Sequence, residues 1–231
     1  FDEDSVHLGL WISERLDKVE EINVDHRIKK TDSKLFGHMR NVIWDRTGQA
    51  TLETKLKLYT TFLRPSLLTG LNALCINGKQ LNRLMDWEKW LLRIIFGLKE
   101  NSSTWGIYAN THMLPIEAYY HKSVFSLFQN AWENHQNPVT KLIKDTVGEK
   151  DSQGFWAVHV KKLCIKYRIP TPDQLLELEA PDKESWKRYV GDKIRTYYED
   201  QINTQIETMQ TLKLTRKQVK QDGKLEKCLH S

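Results

Sequence analysis

The chain has 231 residues, 39% of them hydrophobic and 28% charged, with a formal net charge of +5. That length accommodates one large or two small domains and a real hydrophobic core, so neither a metal nor a disulfide is needed for stability. Three widely separated cysteines (Cys75, Cys164, Cys228) with no C-x-x-C pair exclude a disulfide framework and a zinc ribbon, and they fit an intracellular, reducing compartment, nucleus or cytoplasm. No stretch approaches the about 20 apolar residues of a membrane span, and Phe1-Asp2-Glu3-Asp4 is acidic where a signal peptide is basic. The absence of an initiator Met is expected of a fragment or a processed chain. Charge is unevenly placed: residues 1–30 hold 8 Asp/Glu against 5 Lys/Arg, whereas residues 31–100 hold 11 Lys/Arg against 6 Asp/Glu. A basic excess of that kind suits a polyanion, although any single lysine also reads as part of a solvated helix face.

In chain order, Val6 to Ile12 alternates and predicts a short strand. From about Lys18 to Trp44, Ile22, Ile28, Leu35, Met39 and Val42 recur at helical spacing, with Lys29, Lys30, Lys34 and Arg40 around the stripe. Thr47-Gly48 marks a loop. A second helix opens near Thr51 with Leu52, Leu56, Tyr59 and Leu63 on one face, and Pro65 is expected to kink or end it. Leu67, Leu68, Leu71 and Leu74 continue the apolar run up to Gly78. Leu81, Leu84, Met85, Glu88, Leu91, Leu92 and Ile95 predict a third helix, with Gly97 at a left-handed C-terminal position.

The second half repeats the idiom. Pro115 precedes a helix carrying Ala118, His121, Phe125, Phe128 and Trp132. Asn137-Pro138 opens another with Val139, Leu142 and Ile143. Trp156, Val160, Leu163 and Tyr167 mark a further helix, Thr171-Pro172 starts a short one, and Asp182 caps a long one through Trp186, Tyr189, Val190, Ile194, Tyr197, Ile202, Ile206 and Met209. The expected fold is mainly α, a multi-helix bundle with one short N-terminal strand or hairpin followed by a second helical subdomain. The expected division is 1–16, 17–100, 101–211 and a basic, flexible tail over 212–231. Turn residues at 100–103 mark the break, and one continuous pile of helices is the alternative.

Motifs that carry chemistry are missing. Phosphoryl transfer by a polymerase needs paired carboxylates holding two metal ions about 4 Å apart, and no aromatic-X-Asp-Asp occurs; Asp2 and Asp4 read as an acidic terminus. Phosphate-binding loops, nucleophile elbows and His-Glu-x-x-His pairs are also absent. His7, His38, His112, His121, His135 and His159 are scattered, and one Cys with one His (Cys228, His230) cannot close a zinc site.

Three segments together resemble the end of the polymerase region of non-LTR (LINE-type) retrotransposon reverse transcriptases. His7-Leu8-Gly9-Leu10-Trp11-Ile12 resembles the aromatic-Leu-Gly-hydrophobic primer grip, with His7 in the aromatic position. Asp25-His26-Arg27-Ile28-Lys29-Lys30-Thr31 resembles the start of the first thumb helix. Lys55 through Gly70 resembles the Lys-x-x-Leu-Tyr…Pro-x-Leu-Leu-Tyr-Gly segment, with Thr69 for Tyr, and Glu88 with Leu91 to Gly97 resembles the helix after it. The likeness covers 5–98 well and 105–210 loosely. It implies a helical thumb and connector that position an RNA/DNA template–primer duplex beside the upstream palm and fingers, which would lie before residue 1. Catalysis and its Mg²⁺ would belong to that palm, and this chain alone would be inactive, with no cofactor, membrane or small-molecule substrate. The candidate nucleic-acid contacts are Gly9, Lys29, Lys34, Lys55, Arg64 and Arg93, placed on phosphates and not on bases. Tyr59 and Trp87 are candidates for base stacking, with a core role favoured by their stripe spacing. The competing reading is a repurposed helical protein-interaction module with no nucleic-acid role, which eight Trp among amphipathic helices also suit.

Overall fold

The computed structural model describes residues 4–7, 10–13, 18–133 and 156–209. Of the strand or hairpin expected at the N-terminus, the structure has two strands, β1 (Asp4–His7) and β2 (Leu10–Ser13), paired antiparallel with His7 opposite Leu10. A short alternating run cannot separate one strand from two halves of a hairpin, and Gly9 serves a turn as readily as a strand. The other regular elements among the described residues are helices. α1 (Val19–Lys34) passes through a π turn, Leu35–Met39, into α2 (Arg40–Ile43). α3 (Leu52–Leu58) passes through a second π turn, Tyr59–Leu63, into α4 (Arg64–Leu68). A 3₁₀ turn, Leu71–Ala73, leads to α5 (Gly78–Ile95), then α6 (Trp105–Thr111), α7 (Ile116–Glu133), α8 (Trp156–Tyr167), α9 (Pro172–Leu175) and α10 (Lys183–Thr208). The helix predicted after Asn137-Pro138, with Val139, Leu142 and Ile143, lies outside the described residues, as does the tail from 210 onward.

Local chemistry sets the ends of these helices. Thr51, Asn77 and Asp182 cap α3, α5 and α10 by accepting backbone N–H bonds from Thr54, Gln80 and Ser185. Gly78 therefore opens α5 and does not close the preceding run, because the Asn77 side chain supplies the cap. Gly97 (φ 63°) ends α5: its N–H donates to Ile94 and that of Leu98 to Arg93, the paired bonds of a Schellman turn. Pro65 neither breaks nor ends its helix. The missing amide falls in the first turn of α4, directly after the π turn, where the hydrogen-bond ladder is already shifted. The run ends instead at Gly70 (φ 78°), where an added Cβ would sit 3.1 Å from Leu10 and 3.2 Å from the Arg27 guanidinium.

Burial follows the predicted stripes, with one displacement. Leu84, Glu88, Leu91, Leu92 and Ile95 of α5 are buried as expected, but the buried line of α1 is Asn23, Val24, Arg27 and Thr31. Two of these polar side chains bond to their own helix: Asn23 donates to the Val19 carbonyl (2.8 Å) and Thr31 to that of Arg27 (2.7 Å). Leu52 is exposed, whereas Tyr59 and Leu63 are fully buried.

α1 packs on α4 and α5, α5 on α7, α7 on α8 and α10, and α6 on α10. One hydrophobic core runs through all of them, from Val24 to Ile206. At its C-terminal end Trp132 meets Trp186 edge-to-face (centroids 5.5 Å), and each indole N–H is satisfied by a carbonyl, Leu178 for Trp132 and Phe125 for Trp186. Among the described residues no helix is long and apolar enough to cross a membrane.

Candidate nucleic-acid interface

The basic side chains singled out from sequence separate into two groups. Lys55 and Arg64 are engaged inside the fold. The Lys55 ammonium donates to the Asp45 carbonyl (2.7 Å), closing the 45–50 loop, whose turn is built on the Asp45 carboxylate accepting from the Thr47 hydroxyl and amide and from the Ala50 amide. Those bonds, led by the Thr47 hydroxyl, hold the Asp45 carboxyl down to about 2. The Arg64 guanidinium lies over the Tyr119 ring at 3.6 Å and near the Tyr59 ring at 5.6 Å. Its Nη1 is buried without a hydrogen-bond partner among the described residues.

The other group faces outward. Lys29 is exposed on α1 and Lys34 is half-exposed in its last turn. Arg93 donates from Nε to the Ser102 carbonyl (2.9 Å) and lines a cleft of about 890 Å³ between the C-terminal half of α5 and α6. Lys89 and Lys99 line the same cleft, with Asn101 and the Trp105 ring, and Met209 closes one edge. No carboxylate is among the described residues lining it. Gly9 lies outside the described residues.

Sequence reasoning missed Lys89, Lys99 and Trp105 because α6 was not legible. It has seven residues, contains a glycine, and buries only Gly106, Ile107 and Tyr108, too little to register as a period. Tyr59 and Trp87 take the core role: the Tyr59 hydroxyl donates to Glu88 and the Trp87 indole N–H to Asp32 (2.8 Å).

Glu88 sits directly behind this cleft wall. Fully buried, it accepts from the hydroxyls of Tyr59 and Tyr108 (2.7 Å for Tyr108) and from the Ile116 amide (2.8 Å). Burial raises its pKa and these three donors oppose the rise. Two further buried polar pairs lie in the second half. His121 bonds the Tyr167 hydroxyl (2.6 Å), and His159 bonds that of Tyr120 (3.1 Å), which also clamps the α4–α5 connection through Leu74 and Ile76. Burial keeps both imidazoles neutral, His121 well below its ordinary range and His159 down to about 4. Among the described residues no three His, Cys, Asp or Glu side chains come together to hold a metal ion. Cys228 and His230 lie outside the described residues. No family model matches the chain, and no relative is found among curated proteins or solved structures.

Proposed function

We propose that this chain is a nucleic-acid-positioning module of the thumb-and-connector kind found in non-LTR retroelement reverse transcriptases. It grips the sugar–phosphate backbone of a template–primer beside a palm and fingers that perform the transfer with their own Mg²⁺. The observation that carries the reading is the cleft of Lys89, Arg93 and Lys99, three cations on one concavity with no acidic residue among those described in its lining. Such a concavity concentrates positive potential and attracts phosphates whatever the sequence attached to them. Lys29 adds an exposed cation on α1. The order of the Leu-Gly, His-Arg-Ile-Lys-Lys and Leu-Tyr…Pro-x-Leu-Leu-x-Gly segments supports the retroelement assignment.

Fluorescence anisotropy with a labelled RNA/DNA hybrid tests the reading. Affinity is expected to fall between 50 and 200 mM salt with a log–log slope of about −2 to −3, one phosphate for each engaged cation. Charge reversal at Lys89 and Lys99 is expected to flatten that slope. Binding that ignores salt, or no binding at low salt, overturns the proposal.

A helical protein-interaction module is the second reading, favoured by an aromatic cluster at the surface, Phe36, Trp44 and Trp90. It requires that Lys29→Glu, Lys89→Glu and Lys99→Glu leave cellular activity intact. Lys55 and Arg64 are unsuitable for that test because both hold the fold together.

A further inference from the structure

We infer that this surface also takes the single-stranded part of a template–primer, with unpaired bases stacked on the Phe36–Trp44–Trp90 cluster and phosphates led into the α5–α6 cleft. The inference rests on the nucleic-acid reading above and adds to its substrate.

The three rings form one platform, with centroids 5.5 Å apart for Phe36–Trp44, 6.3 Å for Trp44–Trp90 and 6.4 Å for Phe36–Trp90. Two of the rings are open to solvent, Phe36 at 48% and Trp90 at 37% exposed, while Trp44 is partly buried against the core. Trp87 packs against Trp90 from below (6.1 Å) and is itself fixed by the Asp32 carboxylate, so the platform has a rigid floor. Cations lie beside it along α5. Trp90 and Arg93 stand one helical turn apart on α5, where residues three apart are neighbours, and Arg93 opens into the cleft with Lys89 and Lys99. Lys29 of α1 and Phe36 of the π turn that follows it are both exposed, seven residues apart.

Aromatic faces beside a basic groove are the two parts that hold single strands, the groove tracking phosphates and the rings taking bases. In a duplex the base faces are already stacked on one another and are not free to meet exposed rings. A duplex would use the cations and leave the platform idle. Trp105 places a second ring inside the cleft, edge-on to Tyr108. The acidic side chain on this face of α5 is Asp86, exposed and 3.3 Å from the Lys89 ammonium, where it weakens the attraction.

Anisotropy titrations of the full chain with a labelled single-stranded 12-mer and an RNA/DNA hybrid of equal length test this. The single strand is expected to bind more tightly. Trp90→Ala and Phe36→Ala are each expected to weaken it about 5- to 100-fold, the loss of one stacked base, while the hybrid is unaffected. Trp90→Phe is expected to retain most of the affinity, and Asp86→Asn to tighten both ligands. Crosslinking of a 5-iodouracil strand to the unaltered protein provides a readout that does not depend on variant folding, and the expected adducts are Phe36, Trp44 or Trp90. Equal or better hybrid binding, or adducts confined to other segments, overturns the single-strand inference and leaves the nucleic-acid reading standing. Self-association abolished by Trp90→Ala with nucleic-acid binding unchanged assigns the platform to a protein contact and also overturns it. If neither ligand binds, the broader reading has failed.

Discussion

Glu88 shows how much a single side chain can commit. Its carboxylate receives donors from the π turn before α4, from α6 and from the first residue of α7. An isolated buried charge is expensive, but a buried acceptor with three donors is tolerated, and removing it strands all three. Glu88→Ala is expected to cost about 3–5 kcal/mol in chemical denaturation, whereas Glu88→Gln, which keeps one acceptor and lets a tyrosine hydroxyl turn around, should cost less than half as much. An equal loss in both variants would show that shape, and not hydrogen bonding, sets the contribution. From sequence, Glu88 was visible as a member of the α5 stripe; its partners lie 20 to 29 residues away, and no local pattern links them.

At the scale of elements, legibility tracked periodicity and caps. α5, α7 and α10 were readable because each repeats apolar residues over three or more turns and carries a Pro, Gly, Asn or Asp at an end, and α8 was readable from its stripe alone. α1 was readable as a helix, yet its buried line was misplaced. Asn23 and Thr31 bury polar atoms by bonding back to their own helix, and Arg27 is buried beside them; no hydropathy rule anticipates that. In α10 the buried tyrosine is Tyr198, with Tyr197 half-exposed over Lys166, because a 26-residue helix drifts off any strict repeat. The docking of α10 depends on Trp186, wedged against Phe125, Phe128 and Trp132. Trp186→Ala is expected to destabilise by about 3–5 kcal/mol, read as a lowered urea midpoint. A change under about 1 kcal/mol would mean that the aromatic cluster is not what seats the helix.

For the whole molecule, three kinds of buried or bonded group give stability a definite pH profile. His121 and His159 have folded pKa values below the ordinary 6.5, so the unfolded chain binds more protons as pH falls; their contribution is complete above pH 6.5 and is lost as pH falls through the folded values, about 4 for His159. Glu88 has the opposite sign. Its raised folded pKa favours the folded state at low pH, and that advantage disappears as pH rises from about 4.5 through the folded value. Asp45 acts last, its stabilisation falling away between about 3.8 and about 2. Thermal melts are expected to show a plateau above pH 6.5 and a decline toward pH 4. The decline should be shallower in His159→Gln and steeper in Glu88→Gln, where the compensating group is gone. A melting temperature that rises between pH 6.5 and 4 would contradict this assignment of signs.

The Tyr108–Glu88 bond has a consequence beyond stability. Tyr108 belongs to α6, the cleft's second wall, and its hydroxyl is tethered to the core while α6 also rests on α10. The wall is therefore set before any ligand arrives. If the cleft takes a nucleic-acid strand as proposed, its backbone has no ordering left to do, and the entropy cost on the protein side is confined to the lysine and arginine side chains.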